Sequence, residues 1–232
     1  KAGVALSNDG YIEAARAAAT FVMQKMIDAD RFFATYREER AHTLAFLDDY
    51  AFMANGLLDL YDATHVKRWL ESAKRVADWV VERFGSREGG FYFTSRSHET
   101  LLLRTMDPTD KAIPSGNGVA IIVLLRLARL ERQKGYLRVA EKALDAFGPV
   151  MRRFQRGTET LLLASRMLHE QNKERSHSER ATFPRGDIQL QVEPIQLSAY
   201  LSKRETPPAV GLQCAPRVVI ARALRRQAVT GP

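Results

Sequence analysis

Two stretches of this chain gather side chains that can move protons or hold hydroxyl groups. The first is HTLAFLDDYAF (42–52), with a histidine, two adjacent carboxylates and a tyrosine close together. The near-neutral imidazole of His42 suits a proton shuttle. Asp48 or Asp49 could exchange a proton with a substrate or accept a hydrogen bond from a hydroxyl. Neighbouring residues on a helix diverge by about 100°, so these two carboxylates do not face one another. A two-carboxylate mechanism therefore needs a partner from another loop, and Asp107 and Glu99 are the candidates. The second stretch is DKAIPSGNG (110–118), where Ser115 and Asn117 stand among a proline and two glycines. Arg37, Tyr50, Arg104, Asp107, Ser115 and Asn117 make up the candidate substrate contacts, with His42, Asp48 and Asp49 as candidate catalytic groups.

The same residues have plain structural readings. Carboxylates in a first helical turn are favourable with the helix dipole, and Ser115 or Asn117 can cap the helix that follows. A cap uses one polar group, and the segment offers more than one, so both readings stay open. Nothing points to a metal or a cofactor: there is no HExxH spacing, phosphate loop or dinucleotide fingerprint, and Cys214 stands alone.

The elements that must position these residues are helices. Apolar residues recur at three and four positions over 10–27, 45–64, 67–85, 115–131, 135–154 and 157–171, the mark of amphipathic helices. Short links (ATHVK, ERQKG) join the second to the third and the fourth to the fifth, as in antiparallel hairpins. WLESAKRVADWV (69–80) overlays YLRVAEKALDAF (136–147) at an offset of 67 residues, which also carries Leu57, Leu58 and Leu60 onto Leu124, Leu125 and Leu127. A further copy, YIEAARAAATFV (11–22), shares the aromatic–alanine spacing. The shared offset over two helices marks a repeat. It sets Asp48 opposite Ser115 and Tyr50 opposite Asn117. The long connections, 28–44 and 86–114, both precede these two helices, so the elaborated loops gather at one end, where a rigid scaffold places a site. Within the second, Gly89-Gly90 with alternating Phe91, Phe93, Leu101 and Leu103 predicts a small β-hairpin.

Charge narrows the partners. Residues 151–232 hold 14 Lys and Arg against 7 Asp and Glu, whereas residues 1–150 hold 21 against 20, so the net +8 belongs to the last third. There the arginines are scattered rather than clustered on one face, which argues against nucleic acid. No apolar run reaches the length of a membrane span and the first residues lack the order of a signal peptide, so no membrane and a cytoplasmic location are expected. Residues 1–171 read as one helical-hairpin domain. Residues 172–232 read as a polar linker (HEQNKERSHSER), an alternating strand at 187–202 and a basic tail rich in proline.

FLDDYAFMANGLLDLYDAT (46–64), GGFYFT (89–94), DKAIPSGNGVAIIVLLRLARL (110–130) and TYREERAHTLAFLDDYAF (35–52) resemble the helical region of the thioredoxin-domain-containing YyaL and spermatogenesis-associated protein 20 family. The likeness runs over about residues 10–170. It implies an all-α fold of the (α/α)6-toroid type, similar to N-acylglucosamine 2-epimerases and six-hairpin glycosidases, with a small β-hairpin insertion and an irregular C-terminal extension. About six helices against the twelve of a full ring imply an incomplete toroid. Gly118 stands where the family often has serine, which should loosen the cap. The resemblance further implies a carbohydrate ligand that is bound or isomerised, or alternatively a non-catalytic helical module serving a thioredoxin-like domain of the same parent chain.

Overall fold

A computed structural model describes residues 1–99 and 101–182. The expected strand at 187–202 and the basic tail lie outside the described residues. The chain opens with a short turn of helix, α1 (Ala2–Ala5), and then α2 (Asp9–Lys25). Asn8 caps α2 by accepting the Gly10 N–H at 2.9 Å, the role its short carbonyl side chain favours.

Three antiparallel strands follow in the order β1 (Ile27–Asp28), β2 (Arg31–Arg37), β3 (Arg40–Leu44). Phe33 pairs with Leu44, Thr35 with His42 and Arg37 with Arg40. The hairpin thus occupies the first long connection, where the sequence suggested only a loop. Among the described residues, the hairpin expected within 88–107 is not formed by paired strands: one isolated bridge joins Gly85 to Phe91. The backbone there bonds outward instead. Phe93 O accepts the Leu47 N–H at 3.0 Å, and the Phe93 N–H reaches Thr105 O at 2.8 Å.

Two helical hairpins form the centre. The first pairs α3 (Leu47–Thr64) with α4 (Lys67–Trp79), which runs on into a π-helical turn, Val80–Phe84. The second pairs α5 (Gly116–Glu131) with α6 (Lys134–Arg153), and α7 (Glu159–Thr182) lies against both α5 and α6. Helix α7 continues through the whole of the polar run HEQNKERSHSER, since that run carries no proline or glycine to stop it. The 67-residue repeat is visible in the backbone. Each first helix ends on a left-handed residue, His65 and Arg132, both at φ 53°. Each second helix begins 67 positions apart, at Lys67 and Lys134.

The core sits between α3 and α5. Leu57, Leu58, Leu124, Leu125 and Leu127 are all but sealed, each contributing about 1.5–3 kcal/mol of burial free energy. Trp69 and Tyr136 are buried at matching places, one turn before the sealed Ala73 and Ala140, which let the neighbouring helix come close. The third copy departs from this pattern: Tyr11 and Ala15 are exposed on α2. Helix α5 is buried nearly all round at its N-terminal half, as a central helix must be. Arg126 ties α5 to α3 through Asp59 and Asp62, each at 2.7 Å, and Asn55 Oδ1 at 2.6 Å. A Cβ at Gly118 would stand 2.7 Å from Thr160 Cγ2. The glycine is therefore what lets α7 approach, rather than a weakened cap. Among the described residues no helix is long and apolar enough to cross a membrane, and no cluster of metal-ligating side chains occurs.

Candidate functional site

The first turns of α3 and α5 and the loop 93–114 enclose a pocket of about 230 Å³. Asp48, Asp107, Ser115 and Asn117 line it, together with Phe93 and Lys111. Asp48 enters from the second residue of α3. Its carboxylate lies over the start of α5, where a Cβ on Gly116 would come within 2.0 Å of Oδ1; only glycine leaves room for it. Burial raises the Asp48 carboxyl above its ordinary value, reinforced by the negative charges of Asp49 and Asp107, with Lys111 opposing. Asp107 shifts the other way. Burial pushes it up, but Lys111 and Thr109 outweigh this and hold it below its ordinary value. Lys111 Nζ lies 2.6 Å from Oδ2, and Thr109 donates both its N–H (2.9 Å) and its hydroxyl (2.6 Å) to Oδ1. One pocket therefore holds two carboxyl groups shifted in opposite directions, a division found in acid–base sites.

Phe93 supplies an apolar wall. Its ring is stacked on Phe46 at 4.7 Å with the planes 10° apart, and Phe46 in turn meets the His98 imidazole at 5.0 Å. One face of Phe93 is thus covered, yet the residue remains 36% exposed, so the free surface is the side turned away from Phe46.

The chain shows sequence similarity to a segment of spermatogenesis-associated protein 20: 36% identity to the human protein over 65% of this chain and 21% of that one. The rat protein is 43% identical over 47% of this chain and 14% of its own. The chain is a homologue of these proteins. It spans about a fifth of the length of the human and mouse relatives. No protein-family model matches the sequence. Among solved structures, a glycoside hydrolase family 76 α-mannanase of Bacteroides thetaiotaomicron superposes with a TM-score of 0.56 at 16% identity, covering 74% of this chain and 49% of that one. That likeness shows the fold alone, an α/α-toroid of helical hairpins.

On this scaffold the candidate residues separate into four groups. Asp48, Asp107, Ser115 and Asn117 meet in the pocket. Ser115 and Asn117 are there as builders: both are buried and their polar atoms are engaged. Ser115 Oγ accepts the Gly118 N–H at 3.3 Å, and its hydroxyl also lies 3.3 Å from Asp107 O. Asn117 is bonded to Phe91 and to Asp107 O, so direct substrate contact by its amide is not available. Asp49 completes the start of α3, accepting the Phe46 N–H at 2.8 Å.

Tyr50 is a correction. It is 3% exposed and sits among Phe32, Trp79 and Phe84 on the core side of α3, two residues round the helix from Asp48. His42, Arg37, Arg104 and Glu99 do not line the pocket. His42 is exposed on β3, its carbonyl accepting the Thr35 hydroxyl at 2.9 Å. Arg37 pairs with Glu38 at the hairpin tip, 3.4 Å away. Arg104 lies 4.2 Å over the Tyr92 ring and donates to the carbonyls of Thr94 and Arg83, which makes it a clasp for its own loop.

Among the pocket residues that the sequence does not single out are Thr109, Lys111 and Phe93. Lys111 follows Asp107 by four positions, an ion-pair spacing readable without a structure. Phe93 was read as a strand residue, and nothing in its alternation distinguishes a pocket wall from a core face.

Proposed function

We propose that this pocket binds a carbohydrate and that Asp48 and Asp107 act on it as proton donor and carboxylate partner. The observation that carries the reading is the opposed tuning of these two side chains within one small cavity. Asp48, holding its proton to a higher pH than an ordinary aspartate, donates to the oxygen of a departing sugar. Asp107, kept ionised by Lys111 and Thr109, balances positive charge developing at the anomeric carbon and takes the proton of the incoming water. The free surface of Phe93 offers the apolar contact that the C–H face of a pyranose ring seeks. The α-mannanase neighbour shares the fold and supplies a first substrate class to try. A proton shuttle through His42 is not part of this reading, because the imidazole lies outside the cavity lining.

The test is to incubate the chain with α-mannan and a panel of α- and β-linked oligosaccharides, reading released reducing ends and, separately, binding by calorimetry. The reading expects one sugar class to bind, with Asp48→Asn and Asp107→Asn each lowering turnover by about 10²–10⁴-fold, and Phe93→Ala weakening binding more than turnover. Absence of binding across the panel, or Asp48→Asn turning over like the parent chain, would overturn it.

A further inference from the structure

At the far end of α5 from the carboxylate pocket lies a second concavity, of about 420 Å³, between the C-terminus of α5, the start of α6 and the inward side of α7. With 16 residues in α5 the two cavities are about 24 Å apart along its axis. Arg129, Arg132, Lys134 and Arg175 line this one, and Glu174 is its single acidic residue. Arg129 takes Glu174 at 3.4 Å, leaving Arg132, Lys134 and Arg175 with no ion pair among the described residues.

Some cations on the helices are matched, as Lys74 is by Glu131 at 2.9 Å, Arg126 by Asp59 and Asp62, and Arg166 by Glu170 at 2.8 Å; what marks Arg132, Lys134 and Arg175 is that one hollow gathers all three. Glu131 is next to Arg132 in sequence yet is turned toward Lys74. Three elements thus bring unneutralised cations around one hollow, where an anion would balance their charge. In addition, Gln133 precedes α6 without a side-chain cap, so the first N–H groups of that helix are left for another acceptor.

We infer that this concavity is a binding site for a small molecule bearing a phosphomonoester or diphosphate group. Guanidinium groups match the paired oxygens of phosphate and hold its charge in a bidentate fork. Three uncompensated cations suit an anion carrying two or more charges better than a carboxylate. The floor is formed by Ala128 and Leu137, and no aromatic side chain lines the wall, so the stacking surface that single-stranded nucleic acid needs is missing. The site is independent of the carbohydrate reading, sharing no residue with that pocket.

The experiment is calorimetric titration of the 232-residue chain with inorganic pyrophosphate at low and physiological salt, with inorganic phosphate and a short RNA oligonucleotide in parallel. Saturable 1:1 binding of pyrophosphate is expected, tighter than that of phosphate and weakened at least about tenfold in an Arg132→Ala/Arg175→Ala double variant. Arg166→Ala, which removes a paired cation from the same helix, should bind like the parent chain. Both variants change exposed side chains, and an unaltered melting temperature shows that they are folded. Absence of saturable binding, equal weakening in Arg166→Ala, an unaffected double variant, or tighter binding of RNA than of pyrophosphate would each overturn the assignment.

Discussion

The Asn117 amide closes a two-way bond with the backbone of Phe91: its Oδ1 accepts the Phe91 N–H at 2.8 Å, and its Nδ2 donates to the Phe91 carbonyl at 2.9 Å. The same Nδ2 also reaches Asp107 O at 3.1 Å. One side chain in the first turn of α5 therefore fixes both ends of the loop that carries Phe93 and Asp107. This is how a helix start rich in small polar groups builds a cavity: the polar groups hold the wall in place and leave the contents to others.

Asn117→Ala should accordingly act on stability first. It strands a buried N–H and two carbonyls, a loss of about 3 kcal/mol, visible as a lower melting temperature. It should also speed amide exchange at Phe91, and ligand binding should fall as a consequence of the loosened loop.

Asp48 predicts the opposite. Because its folded pKa is raised, its contribution to stability is present below the ordinary value of 3.8 and is lost as pH rises through the folded value. Asp48→Asn, which keeps the shape without the charge, should melt at the same or a slightly higher temperature than the parent at neutral pH, by about 1 kcal/mol or less. The gap should narrow when the comparison is repeated near pH 4.

Asp110 is a staple rather than a site residue. Its Oδ1 accepts the Ser115 N–H at 2.7 Å and its Oδ2 the Thr160 N–H at 2.8 Å, joining the starts of α5 and α7. Burial raises its carboxyl, but these bonds prevail and hold it below its ordinary value. Its stabilisation is thus present above about pH 3.8 and is lost as pH falls through the folded value. Asp110→Ala should cost about 2 kcal/mol at pH 7, and denaturant melts should show that deficit shrinking in acid.

The hairpins and their repeat were legible because apolar spacing is a local property. The offset read from leucines reappears in the left-handed residues His65 and Arg132. The β2–β3 hairpin was not legible, because its turn is Glu38-Glu39, both at positive φ, where the recognisable signature is Asn-Gly. The strand pattern of 88–107 misled for a complementary reason: its backbone groups are taken by Asn117, Leu47 and Arg104, partners that no alternation reveals. At the site, Asp48, Asp107 and Ser115 follow from helix starts and loop placement. Tyr50 does not, because a residue two positions from Asp48 turns about 200° round the helix and enters the core.

The most direct measurement is a backbone NMR titration of the chain with the oligosaccharide that binds best in calorimetry. Saturable shifts concentrated at Asp48, Phe93, Asp107, Thr109, Lys111 and Gly116, and saturating only at higher sugar concentration in Phe93→Ala, are the predicted result. Saturable shifts confined to other surfaces, or none at these amides at any sugar concentration, would contradict a carbohydrate site at the paired helix starts.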